Sequence, residues 1–587
     1  MAGTWQPLSH QPNFNASTML LLTDGRVMCQ DAGTANWRLL TPDGTGSYVN
    51  GTWSNVAPMH HTRLYYASAV LKDGRVFVSG GEYSDGAQSE TTTGEIYDPR
   101  TDTWTEISAP AGWTEIGDAP CTVLPDGRVL VGQINGNKTA IYDPVTNQWT
   151  AAASKGDRSS EETWVLLGDN TVVTAQCTAH PGAEKYLISN NQWVSAGTLP
   201  VDLIEASSIE IGAGVTLPNG DAFVAGATPH TAIYTPPANP AQPGTWTAGP
   251  NIPNDNKGQT CGSKDAPGCL MPNGNVLFVV GPVDGISGDY LKPTYFYEFD
   301  GTNLIRVNDP PNASGVPYEG RMMLLPTGQV LFAAGSPQIH VYTPSGSPNN
   351  GWRPTITNAP GQVHSGLSYT LFGTQLNGLS QACGYGDDAG CATNYPLVRL
   401  RNSTNGKVYY CRTFDHSTMA IATGNSIQST SFAVPGGIPE GTYDLVVVAN
   451  GIPSASVSIS VMSLKIPFPW AAVWQWLIGS LADGPLWAIG PNGPIPVDPM
   501  GTKVTAQVRA ARKQMLQSIR VLQKIGAQGI QQRLKISQKL PRSFDLEAGE
   551  GPVVASSVKS RQRKKRSQKD KRNSAKKSRP YDASKRK

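Results

Sequence analysis

Short apolar runs joined by a tight polar pair recur through residues 1–351 at intervals of roughly fifty residues. In "YYASAVLKDGRVFVSGGEY", Tyr65 to Tyr83, one run ends at Asp73-Gly74 and the next begins directly after it. That is the pattern of a two-residue β-hairpin whose turn needs positive φ. The same turn recurs at Asp24-Gly25, Asp126-Gly127, Asn219-Gly220, Asn273-Gly274 and Thr327-Gly328, with Asp169-Asn170 as a degenerate copy. Seven hairpins at this spacing predict seven four-stranded blades of a β-propeller. A late-strand Trp marks the units at Trp53, Trp104, Trp149, Trp193 and Trp246, and an aliphatic in "GTNLIRV" replaces it in the sixth. Trp5 is an extra copy ahead of the first hairpin, which predicts an N-terminal strand that completes blade seven and closes the ring.

From "WRPTITNAP" onward the repeat stops. Short alternating strands such as "LSYTLFGTQL" and "TYDLVVVAN", separated by Gly, Pro and Asn, predict an immunoglobulin-like sandwich over 352–463. Residues 464–500 hold a Trp-rich apolar stretch too short and too broken by Pro467 and Pro469 for a transmembrane helix. It reads either as a membrane-interface docking segment or as a linker that folds back on the sandwich. Residues 501–545 show helical periodicity with a basic face, and 546–587 are basic and low in apolar residues, which predicts an amphipathic helix followed by a disordered tail. The predicted class is therefore all-β: a seven-bladed kelch-type propeller and a sandwich, with a helical and disordered basic tail.

The formal net charge of +3 hides an asymmetry. Residues 501–587 carry 25 Lys+Arg against 5 Asp+Glu, whereas residues 1–500 carry 22 against 39. The tail is thus suited to a polyanion or an anionic membrane surface. Eight cysteines include two pairs of equal separation, Cys261 with Cys269 and Cys383 with Cys391, which read as disulfide-closed loops. Paired cysteines favour an extracytoplasmic or cell-surface setting, although the N-terminus shows no ordinary signal peptide.

Equivalent positions nine residues before each turn should share one height at the start of the innermost strands. In blade order they are Ala16, Tyr65, Asp118, Glu161, Ile211, Asp265 and Glu319, with Glu210 replacing Ile211 if blade five is shifted by one. Converging carboxylates raise one another's pKa unless a cation neutralises them, and oxygen-rich sets suit calcium, magnesium or manganese better than copper. The alternative is a solvated acidic rim. Arg63, Tyr65 and Tyr66 could stack on and hydrogen-bond a sugar. Asp387-Asp388 reads as a turn cap or a calcium ligand pair.

The strings "TRLYYASAVLKDGRVFVSGG", "PYEGRMMLLPTGQVLFAAG" and "YDLVVVANGIPSASVSISV" resemble galactose oxidase and the glyoxal oxidase-like kelch proteins over roughly residues 1–463. That resemblance implies a copper site of two tyrosines and two histidines, one tyrosine being thioether-bonded to a cysteine. Tyr65 matches the cross-linked tyrosine, Tyr318 the axial tyrosine and His416 the histidine of the last domain. The family's other histidine is Glu319 here, and its cysteine position falls on Ala16. Without a thiolate no thioether forms, and copper lacks its organic redox partner. The expected function is recognition of a carbohydrate, surface polymer or protein at the propeller mouth. The rival is a metal-dependent oxidase-like enzyme acting on sugars or aldehydes, with Tyr65, Tyr318, Glu319 and His416 as its site and Asp118, Glu161 and Asp265 as further metal ligands. A third, an intracellular kelch scaffold, predicts eight free thiols.

Overall fold

The computed structural model describes residues 3–385 and 390–463, and the backbone of a hairpin pairing Trp487–Gly490 with Gly493–Pro496. The helix expected over 501–545, the tail over 546–587, most of the 464–500 linker and the Asp387-Asp388 pair lie outside the described residues.

Seven antiparallel units form the ring, six of four strands and the sixth blade with two short strands added to its four. Blade one runs Ala16–Leu21, Val27–Asp31, Trp37–Thr41 and Thr52–Asn55 from the axis outward. Blade seven takes its inner three strands from Gly320–Leu324, Val330–Ala334 and Ile339–Thr343, and its outer strand from the N-terminus. There Thr4–Pro7 pairs antiparallel with Ile339–Thr343, Trp5 facing Tyr342. The closure predicted from Trp5 is therefore present, and it removes the open edge of the last blade. The hairpin glycines at 25, 74, 127, 220, 274 and 328 all have φ between 78° and 95°, and Asn170 has φ 61°.

The recurring tryptophans join neighbouring blades. Trp104 stacks on Tyr97 of its own blade, and its indole donates to the Ala57 carbonyl ahead of blade two. Trp53 donates to the His10 carbonyl, and Trp5 to that of Asn308. An apolar body with one satisfied donor makes each of these three a wedge that costs no unpaired polar group, whereas the Trp246 indole nitrogen is buried without a partner.

The second domain is a curled sheet. Its strand Val408–Phe414 pairs first with Leu397–Asn402 and then with Ile427–Ala433, passing from one face of the sandwich to the other. The domain lies against the hairpin-turn side of the ring: Val408 donates to the Gly44 carbonyl, Thr413 to Thr23 and Met419 to Pro125. A Cβ at Gly25 would stand 2.5 Å from the Tyr410 ring, so this turn needs glycine for its contact as well as for its φ. No helix among the described residues is long and apolar enough to cross a membrane.

One segment of this domain leaves the sandwich and enters the propeller axis. Cys383–Gly384 adds an edge strand to blade six, with Cys269 opposite Cys383. On the other side of the axis Gly390 packs against the Ser68 carbonyl of blade two, close enough that a Cβ would stand 2.2 Å from it. The two described ends of this segment are held by different blades, six and two, and this overturns the expected Cys383–Cys391 disulfide. The expected Cys261–Cys269 bond fails for a related reason. Both residues face the strand Val276–Pro282, but Cys269 pairs with Leu277 and Cys261 with Pro282, and the two thiols point into different apolar clusters. None of the eight cysteines is at bonding distance from another in this structure.

Candidate functional site

The mouth of the ring, on the face away from the sandwich, holds a cavity of about 370 Å³ lined by Leu64, Tyr65, Glu82, Tyr83, Asp118, Glu161, Glu210, Asp265, Tyr290 and Tyr318. Four positions from the predicted ring, Tyr65, Asp118, Glu161 and Asp265, meet here. In blade five the shifted alternative holds: Glu210 lines the cavity, while Ile211 is fully buried in the apolar cluster of blades four and five.

Three of the ring residues share an unusual backbone. Tyr65, Glu161 and Asp265 have φ of 52°, 57° and 46°, in the left-handed region that non-glycine residues seldom adopt. Each sits where the chain enters an innermost strand, and the left-handed kink turns one side chain into the mouth while the next follows the pleat. Tyr66 shows the consequence. It is buried against blade one, with its hydroxyl donating to the Gln30 side chain 2.8 Å away, and is not a mouth residue.

Arg63 also departs from expectation. Its guanidinium is fully buried, donating to the carbonyls of Gly80 and Thr93 at 2.6 and 2.9 Å and pairing with Glu95 at 3.2 Å. It holds up the turn beneath Tyr65 rather than facing a ligand. Glu319, in the single turn Pro317–Glu319, lies beside Gly315 and Gly335 and does not line the cavity. Burial first of all raises its pKa, against the pull of Arg321 and Lys292. His416 is in the sandwich: it is buried, stacks on Tyr395 and contacts the Thr430 hydroxyl at 2.8 Å. Burial, helped by the charges of Lys72 and Arg412, pushes its pKa down to about 3. The residue that the second domain brings towards the mouth is instead Tyr385, whose hydroxyl donates to the Tyr318 carbonyl.

The aromatic wall is continuous. Tyr65 stands 6.3 Å from Tyr83 and 6.1 Å from Tyr318, and Tyr318 stands 4.7 Å from Tyr290. Two buried cations back it. Arg321 donates to the Tyr318 carbonyl at 2.6 Å and lies 4.0 Å over the Tyr385 ring. Lys264 lies 4.3 Å over Tyr290 and pairs with Glu205 at 3.3 Å. The Glu210 carboxyl accepts from the Tyr290 hydroxyl, and burial, reinforced by the Asp265 charge, raises its pKa well above the usual range. Sequence reasoning missed Glu82, Tyr83 and Tyr290. Glu82 and Tyr83 follow the Gly80-Gly81 pair, whose φ of 78° and 133° turns the chain back so that Glu82 donates its N–H to the Tyr65 carbonyl. Tyr290 lies in a loop between Pro282 and Pro293, where no repeat position points to it.

The donors do not fit the copper set that the resemblance implies. Ala16 is buried at the head of blade one, Glu319 and His416 are placed as above, and Tyr65 and Tyr318 are the two members that come together. Among the described residues no three His, Cys, Asp or Glu side chains are grouped so as to hold a metal ion. The acids share a cavity without closing on one point.

A kelch-motif model matches residues 63–110, the stretch that spans blade two. The chain is 29% identical over 115 residues to Kelch-like protein terF of Aspergillus terreus, which covers 17% of this chain and 25% of that protein. It is 22% identical over 471 residues to galactose oxidase of Gibberella zeae, which covers 75% of this chain and 59% of that protein. The chain thus spans between a quarter and about three-fifths of the length of these curated relatives. A solved fungal alcohol oxidase of the AA5 family, in complex with copper, is similar with a TM-score of 0.46 and 15% identity over 78% of this chain and 99% of that one.

Proposed function

We propose that this galactose-oxidase-like kelch protein is a recognition protein that binds a carbohydrate, free or within a surface polymer, at the propeller mouth. The observation that carries the reading is the combination of four tyrosine rings and five carboxylates around one open cavity. Tyrosine faces cover the apolar C–H faces of a sugar, and carboxylates accept its hydroxyl protons. The left-handed backbone at Tyr65, Glu161 and Asp265 supports the same reading, since such conformations cluster at binding sites where a side chain must be aimed.

The test is calorimetry and thermal melting with neutral mono- and oligosaccharides. Wild type should melt higher with a bound sugar, in proportion to its concentration over its Kd. Asp118→Asn combined with Glu161→Gln should weaken that sugar by roughly 10–100-fold, the value of a lost charge-assisted hydrogen bond. A wild-type melt that no sugar moves would remove the proposal. Calcium, magnesium and manganese are run beside the sugars, and a rise with an ion alone would transfer the site to a hard cation.

The meeting of Tyr65 and Tyr318 favours one second reading, a metal-dependent oxidase-like enzyme acting on sugars or aldehydes. Stoichiometric copper by elemental analysis, together with peroxide formed from an aldehyde or sugar, would establish it in place of binding alone.

The basic segment 501–587 is proposed to attach the protein to polyanions. A chain ending at residue 463 should keep the melting temperature of the full chain and lose salt-sensitive adsorption to anionic vesicles. Equal adsorption by both would assign the charge another role.

A further inference from the structure

The second domain's segment Cys383–Gly384 meets blade six at one cysteine pair. Cys269 and Cys383 come from positions 114 residues apart in sequence, yet they are directly opposite in the ladder between Gly268–Leu270 and Cys383–Gly384, with their Sγ atoms 3.1 Å apart. Both thiols are buried, Cys269 at 0% and Cys383 at 7% exposure. The ladder is held on either side: Leu270 donates to the Ala382 carbonyl at 2.8 Å, and Gly384 packs against the Gly214 carbonyl of blade five. Tyr385, two residues beyond Cys383, donates to the Tyr318 carbonyl, so the point that anchors the insert also anchors a wall of the mouth.

We propose that Cys269 and Cys383 form a disulfide that staples the second domain's insert to blade six. Adjacent strands place their facing Cβ atoms about 4.5–5.5 Å apart, within a small adjustment of disulfide geometry. The oxidant is a low-molecular-weight or protein disulfide. One thiolate attacks a sulfur of that oxidant to give a mixed disulfide and release its first thiol. The second thiolate then attacks the bonded cysteine sulfur, the Sγ–Sγ bond closes, and the oxidant leaves as its second thiol. Two cysteine protons end on the two released thiols, so the protein loses two protons and two electrons, together two hydrogen atoms, to the oxidant. Because both thiols are buried in the folded protein, exchange belongs to the stage before the insert docks. The folded protein then protects the bond.

The experiment refolds the full chain in oxidised glutathione, blocks free thiols, and maps unreduced peptides by mass spectrometry. The expected result is one linked peptide joining Cys269 to Cys383, two hydrogens lighter than the free pair, with Cys261 and Cys391 alkylated. Reduction should lower the melting temperature by several degrees, since the bond closes a long loop. Cys383→Ser should remove that difference, and Cys261→Ser should keep it. If Cys383→Ser does not fold, the wild-type peptide map alone decides. Alkylated Cys269 and Cys383 after oxidative refolding, or pairing of either with another cysteine, overturns the proposal.

Discussion

Lys155→Met is expected to lower the unfolding free energy by about 3–5 kcal/mol, the loss seen when one partner of a buried ion network is removed. The ammonium is fully buried, 2.7 Å from Glu162 and 2.6 Å from Glu184, with the Trp193 ring 4.3 Å away. Glu162 also accepts from the Trp164 indole, but its second oxygen is buried without a hydrogen bond. Burial pushes the Glu162 pKa up to about 7, against the pull of Lys155 and with the push of Glu184. A carboxyl raised in this way holds its proton more tightly when folded, so its unfavourable contribution grows as pH rises from the ordinary 4.5 to about 7. Removing the cation enlarges that penalty. The loss in Lys155→Met should therefore be greater at pH 8 than at pH 5, read from urea midpoints of the propeller transition. Equal losses at both pH values would mean that Lys155 acts through packing alone. The triad also braces the segment that aims Glu161 at the mouth, so sugar binding should weaken with it.

Arg63→Met should cost a similar amount, about 3–5 kcal/mol, and its cost should likewise shrink towards acid pH, but through a lower window. Glu95 is buried, which alone would raise its pKa. The N–H of His60, the His60 ring, the Arg63 charge and the N–H of His61 instead bring it below the ordinary value. A depressed carboxyl contributes stability that is present above about 4.5 and lost as pH falls through the folded value. The gap between wild type and Arg63→Met should thus be widest near neutrality and shrink below pH 4.5. A gap that is constant with pH would show that the pair with Glu95 carries little of the effect. Because Arg63 secures the turn that holds Tyr65 at positive φ, the variant should bind a mouth ligand more weakly even where it remains folded.

Both predictions concern residues whose roles could not be read from type or position. Arg63 and Tyr66 are chemically suited to a sugar, yet strand alternation sends them inward, while the kink at Tyr65 turns that one ring outward. Glu161 and Glu162 are adjacent carboxylates, one at a cavity and one in a buried triad. The repeat locates the entrance of each innermost strand, and so located Asp118, Glu161 and Asp265. Which neighbour faces the mouth depends on a local φ that the pattern does not encode.

Periodicity alone determined the number of blades, their hairpin turns and the closing role of the strand at Trp5, because each follows from contacts between residues close in sequence or equivalent by repeat. The left-handed φ at the Asp-Gly turns and the tryptophan wedges are local consequences of residue type. Tertiary structure decided what lies at long range. Cys383 sits on blade six and Gly390 beside blade two, so cysteines matched by spacing are held by different blades, and Cys269 meets Cys383 instead. His416 stays in the sandwich because its strand ends on the turn side of the ring, and Tyr385 reaches the Tyr318 carbonyl behind the mouth instead. Glu82, Tyr83 and Tyr290 join the cavity from loops outside the repeat register, where only the closed ring brings them together.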